Sequence, residues 1–569
     1  MKKLMGISAS QGIAIAKVFE LKHIELDIVK QKSEPEKEIV LLNSSIKKSI
    51  EEIEKVKAIA LKNLGPEEAS VFDAHIQVAS DPSIKEEVIA LITTEKCNAA
   101  FALDSISKNY ISMFENMEDI YMKERAADLK DVARRVIYNI LGIKTQDLTS
   151  INEEVIIVAF DLTPSETSQL NKKFVKGFAT DIGGKTSHSA IMARSLEIPA
   201  VLGLKTITED VKDGDIVAIN GGTGEVFINP TPELLKELSL MQKNIIAEKE
   251  RLQAFKNLKS VTKDGKHVEI AGNIGSPNDV NGVLENGGDA VGLFRSEFLY
   301  MDSEDWPTEE EQYESYSLAI KKMKGKKVII RTLDIGGDKT LKYFTFPPEM
   351  NPFLGYRAIR LCLDKQDIFI TQLRAIIRAS EFGKLGIMFP MIATVDEFRK
   401  AREIYDKVYK DVLKENPKIS KEIEVGMMVE IPSAAVHTEV FCKYADFVSI
   451  GTNDLMQYSM ASDRMNENVS YLYQPLNPSI IKLIKMTIEG AHKAGKWVGM
   501  CGEMAGDMTA IPLLVGMGLD EFSMSASSIL EAREFISRID SKKAKEMVEE
   551  VVMADNQEQV ENILKKYKF

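Results

Sequence analysis

Apolar positions along the chain follow two different periods, and the switch between them divides it into segments. The first twenty residues alternate, with β-branched side chains in "GIAIAKVFEL", which predicts one or two strands. From about Pro35 to Leu141 the period lengthens. Ile39, Leu42, Ile46, Ile50, Ile53 and Val56 recur every three or four residues and mark one face of a helix. Breaks at Gly65-Pro66, Asp81-Pro82 and near Lys96-Cys97 divide this stretch into several helices, most simply a small bundle. Short strand-like runs return in "EEVIIVAF", "GFATDIGG", "IPAVLG", "DIVAING" and "GEVFINP". They predict a compact α/β unit that includes the N-terminal strand, with the bundle inserted between. A charged helix follows, from roughly Thr231 to Phe255.

The remainder has the most regular texture. Apolar runs recur as "HVEIAGNI", "AVGLFRSEF", "KVIIRTLD", "LGIMFPMI", "VGMMVEIPS", "FVSIGTND", "WVGMCGEMA" and "DEFSMS", with helical segments between them. About eight strands alternating with helices predict a (β/α)8 barrel of the TIM type. The fold class is therefore α/β and multidomain. An α/β domain is expected at 1–22 and 144–230, an all-α insertion at 23–143, a helical linker at 231–260 and the barrel at 261–569.

Composition narrows the function. With 569 residues the chain is too long for one core, and its net charge of −13 disfavours a nucleic-acid backbone as partner. Small phosphorylated ligands need only a local cluster of arginines. Cys97, Cys362, Cys442 and Cys501 are scattered without a CxxC pair, which fits a reducing compartment. No run of 18 apolar residues occurs, so no membrane span is expected and the cytoplasm is the default location.

Arg295, Arg331, Glu430, Asn453, Asp454 and Cys501 each fall at or just beyond the end of an apolar run. In a barrel those ends form one rim, where catalytic groups belong. Arg295, Arg331 and Arg464 can hold phosphate or carboxylate as bidentate forks. Glu430 and Asp454 suit a hard cation such as Mg²⁺, and Asn453 can donate to a ligand oxygen. Separate structural salt bridges are the competing reading. Cys501, in "GMCGEMAG", is flanked by residues too small to cover it well, and its thiol is read as a proton donor or acceptor.

One more segment stands out: "GGKTSHSAIMAR", residues 183–194, which holds His188, one of only six histidines. A helix starting near Ser187 would present unpaired N–H groups that stabilise an anion and keep the imidazole neutral. Gly183 and Gly184 would admit a phosphate, and Thr186, Ser187 and Ser189 would offer it hydroxyls. This environment suits a phosphohistidine. A metal ligand lacks partners at ligand spacing, and a plain capping histidine stays open on this motif alone.

"GGKTSHSAIMARSLEIPAVLG" resembles the phosphohistidine motif shared by enzyme I of the bacterial sugar phosphotransferase system, pyruvate phosphate dikinase and phosphoenolpyruvate synthase. "GLFRSEFLYM", "RTLDIGGDK", "NPFLGYRAIR", "EIPSA", "GTNDLMQYSMASDR" and "GMCGEMAGD" are similar to the phosphoenolpyruvate-binding barrel of the same superfamily. The segments "GISASQGIAIAKV", "VFDAHIQVASDP" and "YMKERAADLKDVARR" resemble enzyme I in particular. The likeness runs collinearly over nearly the whole chain, with no room for the ATP-binding domain of the dikinase and synthase.

That resemblance implies that His188 takes the phosphoryl group of phosphoenolpyruvate on Nε2 and passes it to the histidine phosphocarrier protein HPr. It implies that Arg295, Arg331 and Arg464 hold the substrate, with Asn453 and Asp454 beside them and Arg357 as a further anion ligand. Glu430 and Asp454 would bind Mg²⁺, with Mn²⁺ also acceptable to such ligands. Cys501 would protonate the enolate as pyruvate forms. The helical insertion would dock HPr and the barrel would form a homodimer. Two residues depart from the family pattern: Lys185 stands where arginine is usual, and Met465 where a small residue is usual. The alternatives are the nitrogen-related branch, disfavoured because the chain runs directly into "GISASQGIAIAKV", and a phosphoenolpyruvate-sensing regulator, disfavoured by the complete set of rim residues.

Overall fold

The computed structural model describes residues 1–569 apart from 23–25, 64–65, 116–119, 144–145, 147, 185–186, 197, 302, 338 and 464–465. At 62–63, 66–70, 115, 120–125, 127, 149, 164, 188, 191, 195 and 467 it describes backbone only. The chain divides into two compact units, Met1–Glu248 and Lys249–Phe569.

The first unit carries an eight-stranded sheet. Its strands are β1 (Lys2–Met5), β2 (Ile7–Ser10), β3 (Ile13–Leu21), β4 (Val155–Ala159), β5 (Val175–Thr180), β6 (Ala200–Leu202), β7 (Ile216–Asn220) and β8 (Glu225–Ile228). Their spatial order is β1-β8-β7-β3-β4-β5-β6-β2. The run β3 to β6 is parallel, and the strands flanking it pair antiparallel. Strand β4, VIIVA, is buried at every position, as expected of a parallel strand covered on both faces. The N-terminal segment thus supplies three strands where the alternation suggests one or two.

Between β3 and β4 the chain forms five helices: Pro35–Asn63, Pro66–Ala79, Pro82–Glu95, Ala99–Glu115 and Ile120–Leu141. On the first of them Leu42, Ile53 and Val56 are fully buried, while Ile39, Ile46 and Ile50 pack partly against the same cores. The third starts where the sequence places a break. Asp81 caps it by accepting from Ser83 N at 2.7 Å and Ile84 N at 3.3 Å, with Pro82 at the first helical position.

The second unit is a closed barrel of eight parallel strands. They are β9 (Glu269–Ile274), β10 (Ala290–Arg295), β11 (Val328–Arg331), β12 (Leu385–Phe389), β13 (Glu424–Val429), β14 (Phe447–Ile450), β15 (Trp497–Met500) and β16 (Glu521–Met524). Each coincides with one of the eight apolar runs, and β16 closes on β9 in register Glu521↔Glu269 to Met524↔Gly272. The main core lies between strands and helices. A smaller apolar cluster of Leu293, Ile329, Met388, Met428, Phe447 and Cys501 occupies part of the lumen. Among the described residues, no helix is long and apolar enough to cross a membrane.

Candidate active site

Strand termini position the site. Arg295 and Arg331 are the last residues of β10 and β11, while Glu430 and Cys501 immediately follow β13 and β15. Asn453 and Asp454 lie in the first turn of helix Thr452–Met460, directly after β14. All therefore gather at the C-terminal mouth of the barrel, where strand ends of a (β/α)8 fold hold functional groups.

Two sets of these residues are distinguishable. Arg295, Asn453 and Cys501 line a cavity of about 570 Å³ together with Asn273, Thr452 and Tyr473. Tyr473 donates from its hydroxyl to Asn453 Oδ1 at 3.4 Å. Asn273 Nδ2 donates to the Cys501 carbonyl at 3.0 Å, fixing the loop that carries the thiol.

The second set belongs to a buried ionic cluster. Arg331 pairs with Asp334 at 2.9 Å and with Glu297; Arg357 pairs with Asp334 at 2.9 Å. Lys339 reaches Glu297 at 2.8 Å and Asp334 at 3.1 Å. Burial alone would lower the Arg331 pKa, but Asp334 and Glu297 outweigh it and hold the guanidinium charged. Burial likewise works to raise Asp334, and the three cations around it win, keeping its carboxyl well below the usual range. Arg357 also donates to the Tyr458 hydroxyl at 3.3 Å, and Tyr458 donates to the Phe353 carbonyl at 2.7 Å.

Glu430 is 1% exposed and Asp454 8%. Burial first, and then the charge of Asp454, push the Glu430 carboxyl up to about 8. Glu430 Oε1 accepts from Met391 N at 2.6 Å, and Oε2 lies where a side chain at Gly451 would press on it at 3.0 Å. Two hard oxygen donors facing each other at such cost fit a divalent cation, which would relieve their repulsion and complete its shell with water and substrate oxygens. Among the described residues, no three His, Cys, Asp or Glu side chains converge as a closed metal cluster.

Two sequence expectations change. Cys501 is not poorly covered: it is 4% exposed, enclosed by the lumen cluster. Burial pushes its thiol up to about 11, with Arg331 and the Ser449 hydroxyl pulling the other way. It is a protonated thiol at neutral pH. In the first unit, helix His188–Leu196 does start as expected, with His188 its first residue. The hydroxyls beside it are already engaged, however. Ser187 Oγ donates to the Gly184 carbonyl at 2.8 Å and accepts from Ala190 N at 3.3 Å, so it caps the helix. It also lies 3.0 Å from Ser189 Oγ, and Ser189 is buried. Gly183 has φ +119°, a conformation that requires glycine, whereas Gly184 faces open space. Arg464, Lys185, Thr186 and Met465 lie outside the described residues.

Glu297, Asp334 and Lys339 were not singled out by the sequence. A signal existed, since a buried arginine needs a carboxylate: Glu297 lies two residues after Arg295, and Asp334 three after Arg331.

Comparison with known proteins accords with this geometry. Three family models match: "PEP-utilising enzyme, N-terminal" over residues 5–125, "PEP-utilising enzyme, mobile domain" over 151–224, and "PEP-utilising enzyme, PEP-binding domain" over 249–541. A Mycoplasma capricolum protein named phosphoenolpyruvate-protein phosphotransferase is 55% identical over 567 residues, covering 100% of this chain and 99% of that protein. The protein of the same name from Bacillus subtilis is 55% identical over 561 residues, covering 98% of each. That from Priestia megaterium is 54% identical over 565 residues, covering 99% of each. With identity of this degree along its whole length, a closed barrel bearing the charged rim and a histidine opening a short helix in the other unit, the chain belongs to the phosphoenolpyruvate-protein phosphotransferase family, the enzyme I family.

Proposed function

We propose that the chain transfers the phosphoryl group of phosphoenolpyruvate to its own His188 and then to the phosphocarrier protein HPr, the first step of sugar uptake by the phosphotransferase system. The convergence of Arg295, Asn453 and Cys501 on one cavity, at the same barrel mouth as the Arg331–Asp334–Arg357 cluster and the Glu430–Asp454 pair, carries the reading.

In the first half-reaction an imidazole nitrogen of His188 forms a bond to phosphorus as the phosphorus–oxygen bond of phosphoenolpyruvate breaks, leaving the enolate of pyruvate. Arg295 and Arg331, with Arg464, hold phosphate and carboxylate; Arg357 backs them, and Asn453 donates to the departing oxygen. Most of the rate enhancement in such a transfer comes from positioning and charge neutralisation. Mg²⁺, or Mn²⁺ in its place, would be held by Glu430 and Asp454 and would neutralise charge on the substrate oxygens. Cys501 gives its S–H proton to the methylene carbon of the enolate, completing pyruvate. A high thiol pKa suits a group that must arrive protonated.

In this reading residues 1–22 and 144–230 form the phosphohistidine domain, and 23–143 dock HPr. Residues 231–260 act as linker, and 261–569 bind phosphoenolpyruvate and pair two copies of the chain as a homodimer in the cytoplasm. The decisive experiment incubates the chain with radiolabelled phosphoenolpyruvate and Mg²⁺ beside His188→Ala. Label that is acid-labile and base-stable on the unaltered chain alone, and that drains on addition of HPr, supports the proposal. Equal labelling of His188→Ala overturns it.

A further inference from the structure

The lumen of the barrel holds a polar column that the proposed reaction leaves unexplained. Barrels of this class usually fill that space with branched apolar side chains. Here β16 sends in Glu521 and Ser523, two residues apart and so on one face of the strand. Glu521 is 1% exposed, and among the described residues neither of its carboxyl oxygens has a hydrogen-bond partner. Such an omission is costly in a buried group unless the group has work to do.

Two glycines make room for it. A side chain at Gly292 would meet Glu521 Oε1 at 2.7 Å, and one at Gly499 would meet it at 2.9 Å. The space over Gly499 is bordered on its other side by Ser449 Oγ, 3.4 Å from the same point. Ser449 is fully buried, and its hydroxyl faces the Cys501 thiol in a geometry short of a formed hydrogen bond. A parallel branch runs from Ser523 Oγ to Asn273 Oδ1 at 2.6 Å, and from Asn273 Nδ2 to the Cys501 carbonyl.

At the N-terminal end of the barrel the column reaches charged side chains. Lys327 Nζ lies 3.8 Å from Glu269 and 3.8 Å from Glu424, and sits 3.9 Å over the ring of Trp497, whose Nε1 donates to Glu424 at 2.8 Å. Glu269 and Glu424 are about one-third exposed, so protons from water reach this end.

The geometry points to Glu521 as a proton store that refills Cys501 through Ser449 from the closed end of the barrel, while pyruvate still occupies the mouth. This rests on the reading of Cys501 as the proton donor. Once the S–H proton has gone to carbon, a thiolate remains. The Ser449 O–H bond breaks and its proton joins the sulfur lone pair. The Glu521 O–H bond breaks in turn, and its proton restores the serine hydroxyl across the space that Gly499 leaves open. Glu521 is left as a carboxylate and recovers its proton from water by way of the Lys327 end. Glu521 touches no substrate atom; it acts only through Cys501. Burial, with the charges of Glu269 and Glu424 added and Lys327 opposing, raises its carboxyl to about 8, so the store is full at neutral pH.

The test measures two isotopes at once in the full-length chain with Mg²⁺. Carbon-14 exchange between pyruvate and phosphoenolpyruvate counts reaction cycles. Deuterium entering the pyruvate methyl group from D₂O counts solvent protons delivered through Cys501. With the relay intact, every cycle refreshes the thiol from solvent. Without it, the thiolate regains its proton from the next pyruvate, and deuterium gained per carbon exchanged falls. We expect that ratio to fall about tenfold in Glu521→Gln and in Ser449→Ala. It should also fall in the unaltered chain as pH rises through about 8, because Glu521, facing Glu269, Glu424 and Lys327, then empties. A ratio that survives in Ser449→Ala or in a folded Glu521→Gln shows refilling through the mouth and overturns the relay. Cys501→Ser separates the underlying reading: if it keeps both carbon and deuterium exchange, Cys501 is not the donor and the failure lies there.

Discussion

Replacing Asp334 by asparagine tests the ionic cluster most directly. The carboxylate is 2% exposed and pairs with three cations: Arg331 at 2.9 Å, Arg357 at 2.9 Å and Lys339 at 3.1 Å. Asparagine keeps the shape but offers one acceptor oxygen, and its amide N–H₂ turns donors toward donors. Arg331 and Lys339 retain Glu297, whereas Arg357 loses the carboxylate that pairs it. Removing one partner of a buried pair costs about 3–5 kcal/mol, and we expect that loss in the stability of the barrel. Both tryptophans, Trp306 and Trp497, lie in the unit Lys249–Phe569, so tryptophan fluorescence during urea unfolding reports on the barrel alone. The pH dependence has a definite sign. The folded pKa of Asp334 is depressed, so its contribution is present above the ordinary carboxylate range and fades as pH falls toward the depressed value. The part of the difference that comes from Asp334 itself should therefore persist above about pH 5 and shrink only in stronger acid. Because Asp334 also helps to raise Glu430, its loss additionally eases ionisation of that carboxyl as pH approaches about 8. A loss below about 1 kcal/mol, or a difference that does not shrink in strong acid, would refute the reasoning.

Other outcomes follow from neighbouring geometry. A side chain at Gly502 would meet Thr452 Oγ1 at 2.0 Å and the Thr452 backbone N at 2.7 Å. Gly502→Ala should therefore displace the Cys501 loop and slow pyruvate formation about a hundredfold, read by single-turnover quench, with the barrel still folded by fluorescence. All four cysteines are buried and the Cys501 thiol is held up to about 11. Iodoacetamide should leave Cys501 unmodified at neutral pH, and mass spectrometry should find labelling that climbs as pH approaches that value. Because the Glu430 carboxyl is raised to about 8, a divalent cation bound there would have to displace a proton at pH 7, and Mg²⁺ is the probe. Calorimetry in buffers of different ionisation heat should register that release, and Glu430→Gln should abolish it.

The barrel and its rim were largely legible because each strand is a short apolar run and each candidate residue interrupts the pattern where the run stops. Arg295, Arg331, Glu430 and Cys501 all have that signature. Periodicity does not show which charges meet. Asp334 and Lys339 sit in "RTLDIGGDK", where nothing marks them as partners of Arg331, Arg357 and Glu297. Exposure of Cys501 was misjudged for a related reason: small sequence neighbours say little about a side chain covered by five other strands. Ser187 and Ser189 were read as phosphate ligands, although serine beside a helix start serves equally well as its cap. Glu521 drew no attention inside "DEFSMS" because a lumen position reads as ordinary alternation.

The sheet of the first unit has a consequence for how the chain is made. Strand β3 is central, hydrogen-bonded on one side to β4 and on the other to β7, yet both partners leave the ribosome much later. Roughly 130 residues separate the end of β3 from the start of β4, about 7 to 27 seconds of synthesis. The five helices emerge in that interval and can pack while the first strands wait unpaired. A nascent chain stalled before Val155 should therefore carry a folded helical insertion and a sticky, protease-sensitive amino terminus, a natural client for chaperones that bind at the ribosomal exit.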